Sequence, residues 1–428
     1  MTETSNELTV AVAEHILARM GETGQPPEQG IQFVNVGNET LLNIIDTEYL
    51  DRLLNQARGS AFKLVQGYFG GGKTHFLYCV RALAWNKGFP TAVVRLSPQE
   101  CPYEDPYLVY KSVAGAISAP PAFSGDTPSQ GITDLLRFWA EDNLMPLSPE
   151  ERDKWFRTVA LRLPVESHTY RRAAAEFIRC LVNNDYEGEA LLESWLCGDK
   201  VPLGELRRFG IYETIERQNA FQCLCSMSQV LVNYGYPGVV LMFDEADRNL
   251  SVSRKKIQAI GDNLRKVIDL CGGSKLPGVF FLYAVPPEFM RQIVPEYPAL
   301  EQRLRSPLPM TRHSPQAAII DLEKLELEPV ELLKSIGARL LDVSKVAWSW
   351  EPSEMIQVAN LNRLAEAASQ YVFEVTHRRL FVKTWISFLY SQHLNGESML
   401  SDSDAAAMIT GAAVTEDEQD EEGEFSDF

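Results

Sequence analysis

The stretch "GYFGGGKTHFL", residues 67 to 77, combines glycines with a lysine and a threonine at a spacing that can bind a phosphate chain. From Gly67 to Thr74 it matches the pattern G-x-x-x-x-G-K-[ST]. Glycines let backbone N–H groups approach the phosphates, Lys73 supplies a positive charge, and Thr74 offers a hydroxyl to Mg²⁺. The pattern therefore predicts binding of ATP and Mg²⁺ through Gly67, Gly70, Gly71, Gly72, Lys73, Thr74 and His75.

A second acidic element follows later in the chain, in "GVVLMFDEAD", residues 238 to 247. Five consecutive apolar residues predict a buried parallel strand. Asp244 at its carboxyl end can hold Mg²⁺, and Glu245 can orient the attacking water. Lys73, Asp244 and Glu245 are thus the predicted catalytic residues, and a buried strand followed by a solvated acidic turn is the alternative.

A strand, a loop and a helix must hold the glycine-rich stretch. "AFKLVQ", residues 61 to 66, is β-prone, and "THFLYCVRALAWNKG" has the apolar period of a helix. His75 lies on this helix, where it either contacts the nucleotide or packs in the core. Two further apolar strands, "TAVVRL" and "GVFFLYAV", favour an α/β fold with a parallel sheet.

The length, charge and composition of the chain limit the classes of protein to which it can belong. With 428 residues, 45% of them apolar, the chain is long enough for two or three packed domains. Of the formal charge of −18, the eight acids of Glu416 to Phe428, a segment without a base, leave −10 for the rest of the chain. The first ten residues lack a signal-peptide pattern and the apolar runs are short, so we expect a cytoplasmic, soluble protein without a membrane partner.

The letters Asp-Glu-Ala-Asp at 244 to 247 also occur in DEAD-box helicases, but the Ser-Ala-Thr motif of that family is missing from the later strand. An AAA+ module fits better. In AAA+ proteins an Ala-Leu-x-x-Arg element presents an arginine finger to the neighbouring subunit, which indicates Arg303, with Arg305 as substitute. A basic end of an amphipathic helix is the alternative for this segment. A lid arginine that contacts the phosphates indicates Arg379, with Arg378 as alternative. Where these proteins carry a polar sensor, this chain has Tyr283.

The motifs together resemble the P-loop ATP-binding proteins of bacterial phage-exclusion (BREX) systems, in particular BrxD-like members. The resemblance rests on "GYFGGGKT", "FDEADR", "YPALEQRL" and "HRRLFVKTW". It implies an AAA+ P-loop core with a large helical insertion and a C-terminal helical lid, a homo-oligomer, and other defence-system proteins as partners. The expected divisions are a helical and linker segment at 1–60, the core at 61–320 with the insertion at about 100–237, the lid at 321–400, and a disordered acidic tail at 401–428.

DNA is a further predicted partner. Arg254, Lys255 and Lys256 follow the acidic strand on one predicted helix and could contact phosphates, or they could form a solvated helix face. Two functions remain open at this point. One is an ATP-hydrolysing motor or loader on DNA, favoured by Lys73, Asp244 and Glu245. The other is an assembly switch with slow or no hydrolysis, favoured by the atypical sensor.

Overall fold

The computed structural model describes residues 7–119, 130–244, 254–273, 276–304, 308–324, 327–370 and 377–425. Its contacts divide the chain into two compact units. Unit 1 comprises Met1–Leu42, Gln66–Ala82 and Asp321–Phe428. Unit 2 comprises Asn43–Val65 and Leu83–Ile320. The glycine-rich loop thus belongs to unit 1, and the acidic strand belongs to unit 2.

Five strands among the described residues form one sheet, in the order β2-β3-β4-β1-β5. They are β1 Ala61–Gln66, β2 Thr91–Arg95, β3 Val239–Asp244, β4 Val279–Val285 and β5 Ile319–Asp321. β2 pairs in parallel with β3, and β3 with β4. At the other edge, Leu64 N–H donates to Ala318 O and Leu322 N–H donates to Gln66 O. From the first of these hydrogen bonds to the second, the residue numbers increase along both β1 and β5, so these two strands are parallel.

The central strands are apolar because both of their faces are covered. Every residue of β3 and of β4 is buried. A parallel strand covered on both faces has no solvent-facing side, so its sequence is a continuous apolar run instead of an alternating one. Asp244, the last residue of β3, is the exception, with a side chain that is acidic and still only 2% exposed.

The long connection from β2 to β3 in unit 2 is helical, as the sequence predicts. Its helices are α4 Pro106–Ala116, α5 Ile132–Asn143, α6 Pro149–Thr158, α7 His168–Asn183, α8 Tyr186–Leu196, α9 Leu203–Leu206 and α10 Ala220–Asn233. The apolar faces of α7 and α10 supply many residues of the same core that covers the sheet, including Phe177 and Met227. This insertion is therefore part of the core of unit 2.

Further helices carry several of the predicted site residues, among them Lys73, Lys255 and Arg303. They are α2 Glu39–Ile44, α3 Lys73–Asn86, α11 Arg254–Gly272 and α12 Pro298–Leu304, together with a π-helical segment, Ile45–Gln56. Short 3-10 or π turns cover Ile31–Phe33, Ala160–Arg162, Arg207–Phe209, Phe289–Ile293 and Val294–Glu296. Within the described ranges, no helix is both long enough and apolar enough to span a bilayer.

Helices from both ends of the chain pack together in unit 1. They are α1 Val10–Thr23, α13 Pro329–Ala347, α14 Glu354–Gln370, α15 His377–Asn395 and α16 Asp402–Phe425. α1 contacts α13 and α15. Trp385 Nε1–H donates to Gly337 O at 2.9 Å, and a Cβ at Gly337 would lie 2.2 Å from Leu361 Cδ1. Glycine therefore permits the close approach of α13 to its neighbours.

The predicted disordered tail, residues 401–428, differs from the structure, which is helical from Asp402. Ser401 Oγ accepts the N–H of Asp404 at 3.1 Å, as an N-cap does. Ala405 and Ile409 are buried, and α16 packs against α14. The density of acids suggested disorder, but the apolar residues that precede them bury a helix face. The side chains of 414–428 lie outside the described residues.

The predicted fold class is confirmed. The structure has a parallel sheet, a helical insertion between β2 and β3, and C-terminal helices, as an α/β fold requires. The finer assignment to the AAA+ class stays a prediction. The residue ranges of the individual domains stay a prediction, since the contacts group the chain into units that combine distant segments.

Candidate nucleotide-binding site

The glycine-rich loop leaves β1 and enters α3 with the backbone conformation that its glycines allow. Gly70 and Gly72 have φ of +70° and +89°, in the left-handed region that side chains rarely adopt. Gly71 N–H donates to Tyr68 O at 3.0 Å, which closes a turn. α3 begins directly afterwards at Lys73, so the N-terminal end of this helix follows the loop. Such a helix start attracts anions.

Lys73 is fixed on the loop. Its ammonium Nζ donates to Gly67 O at 3.0 Å and to Tyr68 O at 2.9 Å. The residue is only 7% exposed. Two carbonyl acceptors hold the positive charge beside the loop backbone, which limits the conformational entropy that Lys73 loses when it binds an anion.

Thr74 and His75 occupy the first turn of α3. Thr74 is half-buried. His75 Nε2 lies 3.2 Å from Asn35 Oδ1, and the Cys79 thiol donates to the same oxygen at 3.4 Å. Burial, and to a lesser extent the charge of Arg378, lowers the pKa of His75 to about 4. The neutral ring of His75 contacts Asn35 and so packs α3 within unit 1. This contact favours the packing interpretation of His75 over contact with the nucleotide.

Both candidate lid arginines contact the loop. Arg378 Nη1 donates to Gly71 O at 2.6 Å, and burial lowers the pKa of this guanidinium. The Arg379 guanidinium lies 5.4 Å from the centre of the Phe69 ring, a cation–π distance. The alternative residue, Arg378, therefore touches the loop backbone, whereas the first choice, Arg379, touches an exposed side chain of the loop.

Two residues that contact the loop or the start of α3, Glu323 and Asn35, were not predicted from the sequence. Glu323 Oε1 accepts the N–H of Tyr68 at 3.0 Å, and Glu323 Oε2 lies 3.8 Å from Arg378 Nη2. Asn35 holds His75 and Cys79, as described above. Neither residue belongs to a recognisable motif. The available signal is that Glu323 lies two residues after the end of the edge strand β5.

The acidic strand belongs to unit 2. Asp244 ends β3, and its backbone O accepts the N–H of Leu96 at 2.9 Å. The register pairs Phe243 with Tyr283 on β4. Tyr283 is 1% exposed and packs against the rings of Tyr103 and Phe289, so the predicted sensor residue lies in an aromatic core. Glu245, the predicted water-orienting residue, lies outside the described residues.

The predicted arginine finger is engaged within its own unit. Arg303 on α12 donates through Nη2 to Asp269 Oδ2 at 2.9 Å and through Nη1 to Ala299 O at 2.7 Å. Its Nε donates to the other oxygen of Asp269, which makes the pair bidentate. The hydrogen bonds from Arg303 lower the pKa of Asp269. The substitute, Arg305, lies outside the described residues.

The three predicted nucleic-acid contacts differ in their surroundings. Lys256 Nζ lies 2.9 Å from the carboxylate of Glu104, which is nearly buried. Lys255 is exposed on the same helix, α11. The side chain of Arg254 lies outside the described residues. An existing carboxylate partner neutralises Lys256, so Lys255 is the better placed of the two lysines to bind an external phosphate.

The sequence from residue 10 to residue 403 matches the profile of one protein family, described as "BREX system ATP-binding protein BrxC/D". The chain belongs to the BrxC/D family. It is therefore an ATP-binding protein of the BREX type, in agreement with the resemblance predicted from the motifs.

Two further comparisons extend beyond the BrxC/D family. A search of curated proteins found no match. Among solved structures, the Aeropyrum pernix ORC2 protein in ADPNP and ADP complexes is similar with a TM-score of 0.45 and 11% identity. The match covers 88% of this chain and 67% of that chain.

The different contacts of the two lid arginines lead to a testable difference. We expect Arg378→Ala to weaken ATP binding about tenfold or more, since a hydrogen bond to a charged group typically contributes about 1.5–3 kcal/mol. Arg379→Ala should have the smaller effect, because its guanidinium lies on the exposed Phe69 ring. Isothermal titration with ATP compares the two variants directly, and each is the charge-matched control of the other. The reverse order of affinities would restore Arg379 as the phosphate-contacting residue.

Proposed function

We propose that this chain is an AAA+ ATPase that binds and hydrolyses ATP with Mg²⁺ in a bacterial anti-phage defence complex. The observation that carries the proposal is the buried ammonium group of Lys73, held by two loop carbonyls at the start of α3. A fixed cation and a helix N-terminus at one loop suit a polyphosphate. Membership of an ATP-binding family supports ATP as the ligand.

The chemical roles follow from the residue types. Mg²⁺ binds few protein oxygens and completes its shell with phosphates and water. The Thr74 hydroxyl and the Asp244 carboxylate are the proposed protein ligands, by their places in the loop and at the end of β3. Glu245 is the proposed residue that orients the attacking water.

Assembly and target complete the proposal. Arg303 acts on the ATP of a neighbouring subunit, so the active form is a homo-oligomer. The oligomer works in the cytoplasm on DNA, as a motor or a loader, with other defence-system proteins as partners. The exposed Lys255 supports the DNA part of the proposal through phosphate attraction, which needs no base-specific contact.

One observation favours a second function, an ATP-dependent assembly switch with slow or no hydrolysis. Tyr283 is buried among aromatic rings instead of presenting a polar group to solvent. A side chain buried among rings gives less help in positioning the attacking water, so hydrolysis is slowed while ATP binding is kept. The chain then recruits protein partners in its ATP-bound state.

Steady-state ATP hydrolysis with and without DNA tests the proposed function. The motor or loader predicts Mg²⁺-dependent turnover that DNA accelerates. The switch predicts slow turnover that DNA leaves unchanged, together with partner capture that requires ATP. No ATP binding at all in the full chain would rule out both functions.

The two adjacent lysines of α11 provide a matched test of DNA contact. We expect Lys255→Ala to reduce the slope of log K against log salt by up to about 0.9, the loss of one phosphate contact. Lys256→Ala should change the slope less, because Glu104 already neutralises that charge. Fluorescence anisotropy with a labelled DNA duplex over a range of salt concentrations gives both slopes. Equal slopes for both variants and the wild type would assign this helix face to solvent.

A further inference from the structure

The carboxylate of Glu323 lies against the loop that is proposed to hold the phosphates. Its Oε1 accepts the N–H of Tyr68 at 3.0 Å. A Cβ added to Gly71 would lie 2.6 Å from the same oxygen, and one added to Gly67 would lie 3.5 Å from it. Glycine at position 71 therefore makes room for this carboxylate as well as for a ligand.

The backbone that precedes Glu323 is fixed. Leu322 N–H donates to Gln66 O at 2.9 Å, directly before the loop begins. The N–H of Glu323 itself donates to Asp321 Oδ1 at 3.1 Å, and Lys324 pairs with the other oxygen of Asp321 at 3.2 Å. The position of the carboxylate is thus set by the end of β5, and it does not depend on a flexible connection.

Glu323 shares one cation with the loop. Arg378 Nη2 lies 3.8 Å from Glu323 Oε2, while Nη1 of the same guanidinium donates to Gly71 O at 2.6 Å. The buried Nε of Arg378 has no hydrogen-bond partner among the described residues. A buried donor without a partner is unfavourable, so an incoming anion gains from contact with this guanidinium.

We propose that Glu323 is a specificity-determining residue that weakens the binding of nucleotides in proportion to their phosphate charge. The inference rests on the proposed binding of ATP at this loop. The carboxylate repels the phosphates and also attracts Arg378, which the phosphates must share or draw away. Both effects weaken the binding of a polyphosphate. Glu323 therefore keeps the affinity for ATP below the value that Lys73 and Arg378 alone could give, and it favours nucleotide exchange.

Nucleotides that differ only in phosphate number test this charge dependence. In Glu323→Gln, which keeps an acceptor for Tyr68 N–H and removes the charge, we expect the Kd for ATP to fall about threefold to tenfold, as for one partly exposed charge near a polyanion. The Kd for ADP should fall less, and the Kd for AMP least. Isothermal titration of the full chain with AMP, ADP and ATP in Mg²⁺ buffer measures all three.

Two further variants make the result decisive. Glu351→Gln makes the same change in net charge at an exposed position of unit 1, and we expect it to leave every Kd unchanged. Glu323→Ser removes the same carboxylate and admits water to Tyr68 N–H, so it replaces Glu323→Gln if thermal unfolding shows that the latter is not folded.

The outcomes separate the inference from the function on which it rests. If the wild type binds ATP and the folded Glu323 variants bind it no more tightly, the inference is wrong and the proposed function stands. A gain that is equal for AMP and ATP also overturns the inference, because it would show an effect that ignores phosphate charge. If the wild type does not bind ATP, the proposed function fails, and the inference fails with it.

Discussion

Replacing Lys73 with alanine is expected to abolish measurable ATP binding, with a loss in affinity of about 100-fold or more. The Lys73 ammonium is nearly buried and donates to Gly67 O and Tyr68 O, so it is already positioned for a phosphate. Removing one member of a desolvated, hydrogen-bonded charge contact typically costs about 2–5 kcal/mol in binding. The alanine variant keeps the loop glycines and the start of α3, and loses only the fixed cation.

A lysine that pairs on the surface provides the control for this variant. Lys345 lies on α13 in the same unit, where its Nζ is 2.9 Å from Asp342 Oδ1. Lys345→Ala changes the net charge by the same amount, and we expect ATP affinity to remain at the wild-type value. Isothermal titration gives the affinities, and thermal unfolding shows that both variants fold. Undiminished ATP affinity in Lys73→Ala would contradict the assignment of this loop as the phosphate site.

The fold was predictable because its strongest signals are local. A strand that is buried on both faces must be an apolar run, as in β3, and a phosphate loop must be rich in glycine, as in residues 67–74. Each of these signals lies within about ten consecutive residues. Periodicity then placed helices between the strands. The sheet, its parallel pairing and the helical insertion follow from such short patterns.

Glu323 could not be found in this way, since its role depends on which strand is the neighbour of β1. β5 pairs with β1 at the edge of the sheet, so Leu322 reaches Gln66 and Glu323 reaches Tyr68 across 255 residues of sequence. An acid after an apolar segment occurs at many places in this chain. Only the pairing of the strands gives this particular acid a position on the loop.

The choice between Arg378 and Arg379 shows a related limit. Adjacent residues on a helix point about 100° apart, so one residue of error in the helical phase exchanges their surroundings. The sequence located the helix start but not its rotation. The structure gives Arg378 the Gly71 carbonyl and Arg379 the Phe69 ring. Lys256 is a similar case, because its partner Glu104 is distant in sequence.

The second large effect is expected from Arg303→Ala, which should leave ATP binding intact and lower turnover about 10³-fold or more, as for other arginine fingers. A finger from a neighbouring subunit stabilises charge that develops only in the transition state, so its loss changes kcat more than Kd. Arg303 is held by Asp269 in a bidentate pair, which keeps its guanidinium in one orientation on α12. Arg303→Lys keeps the charge without the planar pair and should retain only part of the rate.

Mixing two inactive variants determines whether Arg303 acts on a neighbour. Arg303→Ala subunits have an intact phosphate site but no finger, and Lys73→Ala subunits have a finger but no phosphate site. If the finger acts between subunits, ATP turnover in a mixture should rise well above that of either variant alone, because some Arg303→Ala sites then face an intact Arg303. Action within one subunit predicts no recovery at any mixing ratio. Wild-type turnover by Arg303→Ala alone, in every assembly, would show that Arg303 is not the finger and that its pair with Asp269 only joins α12 to α11.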